Sequence, residues 1–426
     1  MKEQVLSALG QRTQEPPISW LMASALARPK LISLAAGFTD NQTLPASQVR
    51  LLLNEILDSP VHGPAALQYG TTVGDAALRE LTGNRLLFLD GRQAKPELYA
   101  PDRMVLTNGS QQMLYLVTEA LCDTGDIVLV EDPSYFVYLG ILQSHGLRAR
   151  GVRLDADGLD LENLEAVLAD LKRRGELKRV KLLYIVSYFQ NPTGRTTSFH
   201  KKGALLKLLQ RYEKAAGHPI YLLEDAAYRE LQFEGEPEHS ALAVPGFGER
   251  VIYSGTYSKP FATGSRVGFG LLPEPLYTAV VRIKGNHDFG SSNLLQQLLA
   301  RALDSGHYEK HVATLRRRYA HKAALMLEAM REHFPEAVRY EIPRGGLYYW
   351  AQLPPKVQSG AKSKLFKTAL VKDVLYVPGE LCYADDASRP KPASELRLSF
   401  GAAADDNIRV GIWRLGNALK AVLKKG

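Results

Sequence analysis

The chain has 426 residues, 45% hydrophobic and 23% charged, with a formal net charge of +8. That length allows a large core in two or three domains, and the composition excludes disordered and fibrous classes. The two cysteines, Cys122 and Cys382, exclude a disulfide framework and a cysteine-rich zinc site, and no metal site is expected.

Much of the positive charge sits in short mixed runs at 171–180 and 316–322, which fit exposed helix faces. No basic stripe interleaved with aromatics is present, so a nucleic-acid partner is not expected, and mild positive charge suits small anionic substrates. The start, Met1-Lys-Glu-Gln running into Gln14-Glu-Pro-Pro, is not a secretory leader. No stretch of about 18 apolar residues predicts a membrane span. The expectation is a cytoplasmic protein with two buried thiols, Cys122 especially, since it closes the apolar run from Leu114.

From about 70 to 301, strand and helix patterns alternate. Short apolar runs begin at Arg103, Asp126, Val180, Pro219, Val251 and Val267, with helix-length segments such as 112–122 and 201–216 between them. This order predicts a mostly parallel sheet flanked by helices. A long helix over 307–333 follows, then strands within 343–353 and 395–400, giving a smaller α+β domain. Segment 356–364 reads as exposed and 385–392 as a loop. The predicted division is an N-terminal arm and part of the small domain at 1–50, a large domain at 51–305, and a C-terminal small domain at 306–426.

In parallel sheets of this kind, ligands sit beyond the carboxyl ends of the strands, and the polar motifs fall there. Asn108-Gly109-Ser110-Gln111-Gln112 joins a strand to a helix, as either a phosphate cradle or a simple cap by Asn108 or Ser110. Asp132-Pro-Ser-Tyr135 offers a tyrosine that could stack on a planar ring. Asn191-Pro-Thr-Gly194, with Tyr188 just before it, is also common turn chemistry. Glu224-Asp225-Ala-Ala-Tyr228 sets a carboxylate at a strand end, where it could pair with a pyridinium nitrogen or cap a helix, and Tyr228 could equally pack in the core. Ser254-Gly-Thr-Tyr-Ser-Lys259 is followed by a glycine-rich stretch and Arg266. A lone lysine is usually a solvated surface charge. Here an amine, hydroxyls and a phosphate-matching guanidinium share one loop.

Together these motifs resemble the fold-type I pyridoxal-phosphate enzymes, specifically the class I/II aminotransferases. The likeness runs from Leu31-Ile-Ser-Leu-Ala-Ala-Gly37 through Leu67-Gln-Tyr69-Gly70 to Leu396-Arg397-Leu-Ser-Phe400. It implies an α/β fold with a mostly parallel central sheet and a smaller α+β domain. It also implies pyridoxal 5'-phosphate held by Lys259 as a Schiff base, with Lys259 then moving the proton. Asp225 would pair with the pyridine nitrogen, Asn191 and Tyr228 would reach the phenolic oxygen, and Tyr135 would stack on the ring. Ser110, Gln111, Thr256, Ser258 and Arg266 would hold the phosphate. Arg397, with Asn191 and the backbone near Gly37, would bind the substrate carboxylate. Tyr69 would come from the neighbouring subunit of a homodimer.

The implied activity moves an amino group from an L-amino acid to a 2-oxo acid such as 2-oxoglutarate, within amino acid metabolism or biosynthesis. The early stretch is most similar to the 2-aminoadipate and kynurenine aminotransferases. Trp20-Leu-Met-Ala carries no charge before Arg28, so an aromatic or aliphatic donor chosen by the Trp20 region is expected. The alternatives are a lyase or decarboxylase using the same cofactor, or a cofactor-binding regulatory domain. The latter would need a basic DNA-binding segment ahead of the fold, and the resemblance starts too early to leave room for one.

Overall fold

The computed structural model describes residues 5–423. Residues 1–4, on which part of the expectation about a leader rests, and residues 424–426 lie outside the described part. Fourteen strands form three sheets among the described residues. β1 (Ile32–Ser33) comes first in the chain. β2 (Met104–Thr107), β3 (Ile127–Asp132), β4 (Arg148–Asp155), β5 (Gly158–Leu159), β6 (Val180–Val186), β7 (Tyr221–Asp225), β8 (Val251–Thr256) and β9 (Gly268–Leu271) form the large sheet. β10 (Arg339–Tyr340), β11 (Tyr348–Gln352), β12 (Val374–Leu375), β13 (Val377–Pro378) and β14 (Glu395–Ser399) follow.

The large sheet has the order β2-β9-β8-β7-β6-β3-β4-β5. From β8 to β4 every neighbouring pair is parallel, and β9 is inserted antiparallel between β2 and β8. Parallel strands must be covered on both faces, and the sequence supplies that: Ile127–Asp132 and Val251–Thr256 are buried along their whole length. Helices such as Ser110–Leu121 and Phe199–Ala216 do the covering. The expected α/β architecture is the one observed.

β10, β11, β14 and β13 form a separate antiparallel sheet, and β1 pairs in parallel with β12. The early chain is thereby stitched to its late part. The helix His307–His333 runs over the predicted span.

Four expectations need correction. β4 was missed because its polar, arginine-spaced sequence lacks a strand pattern; parallel pairing with β3 recruits it. Segment 356–364 is not uniformly exposed. Ser359 is fully buried there, because its N–H and hydroxyl both donate to Ala393 O, at 2.8 and 3.0 Å. Within the run 316–322, Lys322 turns inward, donating to Gly401 O at 2.6 Å and lying 3.1 Å from Asp40. Cys122 is only half-buried, since it sits at the C-terminal cap of its helix, whereas Cys382 is buried.

Candidate active site

The carboxyl ends of β2, β3, β6, β7 and β8 open on one cavity of about 220 Å³. The loops leaving those strands carry Gly109 to Gln111, Tyr135, Asn191, Asp225 to Tyr228, and Thr256 to Lys259 to its wall. β9 enters from the same edge, bringing Arg266, and β14 of the small sheet adds Arg397. Gly37 joins from the early chain. The fold thus gathers every candidate residue except Tyr69.

Lys259 Nζ donates to Gly37 O at 2.7 Å. Part of the side chain is open to the cavity. Even so, enough protein surrounds the amine for burial, and then the nearby Arg397 and Arg266 charges, to lower its pKa to about 8. Asp225 lies at the other side of the wall with two donors: Tyr184 Oη on Oδ2 at 2.9 Å and the Ala227 N–H on Oδ1 at 3.1 Å. Burial nevertheless raises its pKa to about 6.

The helix Ser110–Leu121 begins without a side-chain cap. Its N-cap position is Gly109, at φ 75°, so the capping alternative for Asn108 and Ser110 does not hold. The free N–H groups and the positive dipole end face the cavity. Arg266 lies against them: a Cβ on Gly109 would fall 2.8 Å from Arg266 Nη2. Ser258 is held by its N–H on Thr256 Oγ1 at 3.0 Å. Hydroxyls, amides and a guanidinium therefore converge on one part of the cavity wall. This donor set fits a phosphate dianion.

Arg397 is 1% exposed, although its two recorded hydrogen bonds go to uncharged groups. Nη1 donates to Asn191 Oδ1 and Nη2 to Ala35 O, both at 2.6 Å, while Nε is buried with no hydrogen-bond partner among the described residues. An unspent donor on a buried cation marks a place for an anion. Tyr348 lies under the guanidinium at 4.4 Å, and its hydroxyl is 2.9 Å from Tyr228 Oη. Asn191 is braced from behind: the neighbouring Gln190 donates to the buried Glu131 at 2.6 Å, and burial raises that carboxyl to about 8.

Sequence reasoning missed Tyr348, Phe136, Tyr184 and Ile18. Tyr348 is legible only once strand pairing is known. Arg397 faces Trp350 across the β11–β14 ladder, which puts residue 348 on the same face. One expectation shifts. Trp20 does not line the cavity; it packs edge-on against Phe366 at 5.9 Å, and Ile18 takes its place in the wall. Tyr188 is buried elsewhere, with Lys202 4.0 Å above its ring. Tyr69 is 84% exposed and stacks edge-on against Phe289 at 5.7 Å, outside this cavity.

A family model described as aminotransferase class I and II matches residues 29–414. Aromatic-amino-acid aminotransferase 1 of Thermococcus litoralis is 32% identical over 93% of this chain and 89% of its own length. The 2-aminoadipate transaminase of Thermus thermophilus is 33% identical over 93% of this chain and 92% of its own. Among solved structures, the kynurenine aminotransferase of Pyrococcus horikoshii, in complex with PMP, matches with a TM-score of 0.88 at 32% identity. That match covers 99% of this chain and 98% of the other.

Proposed function

The chain belongs to the class I and II aminotransferase family, and from that premise we propose how its residues carry out pyridoxal-phosphate-dependent amino transfer and which donors it takes. When bound, pyridoxal phosphate supplies an aldehyde for the amino group and a ring that withdraws electrons from the substrate α-carbon. Lys259 would hold the aldehyde carbon. Ser110, Gln111, Thr256, Ser258 and Arg266 would hold the phosphate, Tyr135 would stack on the ring, and Asn191 and Tyr228 would reach its phenolic oxygen. Asp225 would pair with the ring nitrogen and favour its protonated form.

Arg397, with Asn191 and the backbone at Gly37, grips the α-carboxylate and aims the Cα–H bond at Lys259. The amine, its pKa lowered to about 8, takes that proton from Cα onto Nζ and holds it for return. A 2-oxo acid such as 2-oxoglutarate then binds Arg397 in the same way and receives the amino group. The observation that carries this reading is Arg397 itself: a buried guanidinium with an unused Nε beside the one amine of the cavity.

The donor is an aromatic or aliphatic amino acid. Among the described residues, the cations of the wall are Lys259, Arg266 and Arg397, each already assigned, and Ile18, Phe38, Phe136 and Val137 supply an apolar remainder. The enzyme works as a homodimer. Support comes from Val61, Leu67, Tyr69 and Phe289, large side chains left exposed, the last two in ring contact with each other. A second copy would cover them and bring its own Tyr69 to the site. No helix among the described residues is long and apolar enough to cross a membrane. With both cysteines free, a cytoplasmic location is the proposal.

The test is the acceptor-free half-reaction, followed by absorbance across a panel of amino acids. Amino transfer converts one equivalent of donor per site and stops. Continued release of ammonia would mean a lyase instead. A far higher kcat/KM for aminoadipate or aspartate than for phenylalanine or leucine would overturn the donor assignment.

A further inference from the structure

Asp225 leans on a residue that the mechanism above leaves unused. Tyr184 sits in the middle of β6, paired with Leu223 of β7, and is fully buried. Its hydroxyl lies 2.9 Å from Asp225 Oδ2. Burial pushes the phenol well above its ordinary pKa, so the oxygen keeps its proton and is the donor. With the Ala227 N–H on Oδ1, each carboxylate oxygen has one partner and a lone pair left over.

The tyrosine is itself fixed. Tyr138 packs on its ring at 4.0 Å with a 34° tilt. The Tyr138 hydroxyl lies 3.1 Å from Thr118 Oγ1, which donates to Leu114 O. Thr118 belongs to the helix Ser110–Leu121, whose first turn lines the cavity. One rigid stack thus runs from that helix to the carboxylate. Glu131, a second buried acidic group nearby, accepts from Gln190 and the Val186 N–H on one oxygen.

We propose that Tyr184 is a positioning residue whose hydroxyl orients Asp225 and holds it in the charged form that a protonated ring nitrogen requires. The inference rests on Asp225 facing that nitrogen. A hydrogen bond donated to a carboxylate strengthens its pairing with a cation by keeping the charge in place. Without it, burial alone would drive Asp225 toward neutrality.

The experiment is a double-mutant cycle read as binding of pyridoxamine 5'-phosphate, which cannot bond covalently to Lys259, to the cofactor-stripped chain. Tyr184→Phe keeps the ring and removes one oxygen. It should weaken binding by about tenfold, the size of one charge-assisted bond. In an Asp225→Asn background the same substitution should cost nothing. In the reloaded enzyme, kcat should fall while the KM for the donor stays unchanged. Equal loss in both backgrounds, or no loss in either, would overturn the inference. If Asp225→Asn alone left binding intact, the reading of Asp225 would fail first, so the two failures are distinguishable. Should Tyr184→Phe not fold, fluorotyrosine at 184 replaces it. Its fluorine resonance should move when the ligand binds and stay fixed in the Asp225→Asn background; a fixed resonance in both would overturn the inference.

Discussion

Replacing Lys259 with methionine should stabilise the cofactor-free chain while abolishing covalent cofactor capture. The folded protein lowers the lysine from its ordinary 10.5 to about 8, through burial and then through the Arg397 and Arg266 charges. At 1.36 kcal/mol per pH unit, that gap means roughly 3 kcal/mol of disfavoured charge at neutral pH. Methionine has similar length and no charge. It forfeits the bond to Gly37 O, at about 1 kcal/mol, leaving a net gain of about 2 kcal/mol. The gain depends on pH with a definite sign. Below about 8 the lysine is protonated in both folded and unfolded chains, and the penalty is full. Between about 8 and 10.5 the unfolded chain binds the extra proton, so wild-type stability rises with pH relative to the variant. Above 10.5 the advantage is gone. Urea unfolding of both cofactor-free proteins, at one protein concentration and at about pH 7 and about pH 10, measures this. A variant less stable than wild type near neutrality would refute the reasoning, as would a difference that does not shrink at the higher pH.

Gly268→Ala should empty the cofactor site, because the new Cβ would lie 2.4 Å from both Gly109 C and Ser110 N, the backbone proposed to cradle the phosphate. Loss of cofactor absorbance after gel filtration, with the fold intact by circular dichroism, would show it. Arg397→Lys replaces a planar fork with a point charge and should cut kcat/KM by roughly tenfold to a hundredfold, one to two charged hydrogen bonds' worth. Cofactor uptake should be unaffected, since the proposed phosphate site lies at Ser110, Gln111 and Arg266; reduced uptake would contradict that separation. Lys202→Met should destabilise the fold by about 3 to 5 kcal/mol. It strands Glu224, which shares a fully buried pair with Lys202 at 3.0 Å on the side of β7 away from the cavity. Denaturant unfolding would check this, and adding Glu224→Leu should recover most of the loss.

The sequence was most legible where local chemistry and strand order coincide. Apolar runs such as Val180–Val186 and Val251–Thr256 announce buried parallel strands, and a parallel sheet places the residues that follow them at one edge. That logic brings Asp225, Asn191 and Lys259 together without a structure. It failed for β4, whose polar residues are held by a neighbour rather than by their own pattern, and for Trp20, whose ring found a better apolar partner in Phe366.

By itself the sequence pointed to the cofactor chemistry through resemblance, because Lys259, Asp225, Arg266 and Arg397 stand in the order of the class I and II aminotransferase pattern. Only the tertiary structure decided the state of those groups. The lowered amine, the unspent Nε of Arg397 and the Tyr184 bond to Asp225 arise from segments as far apart as Ala35 and Arg397. Burial and charge–charge distance are properties of the packed molecule, and no local pattern along the chain records them.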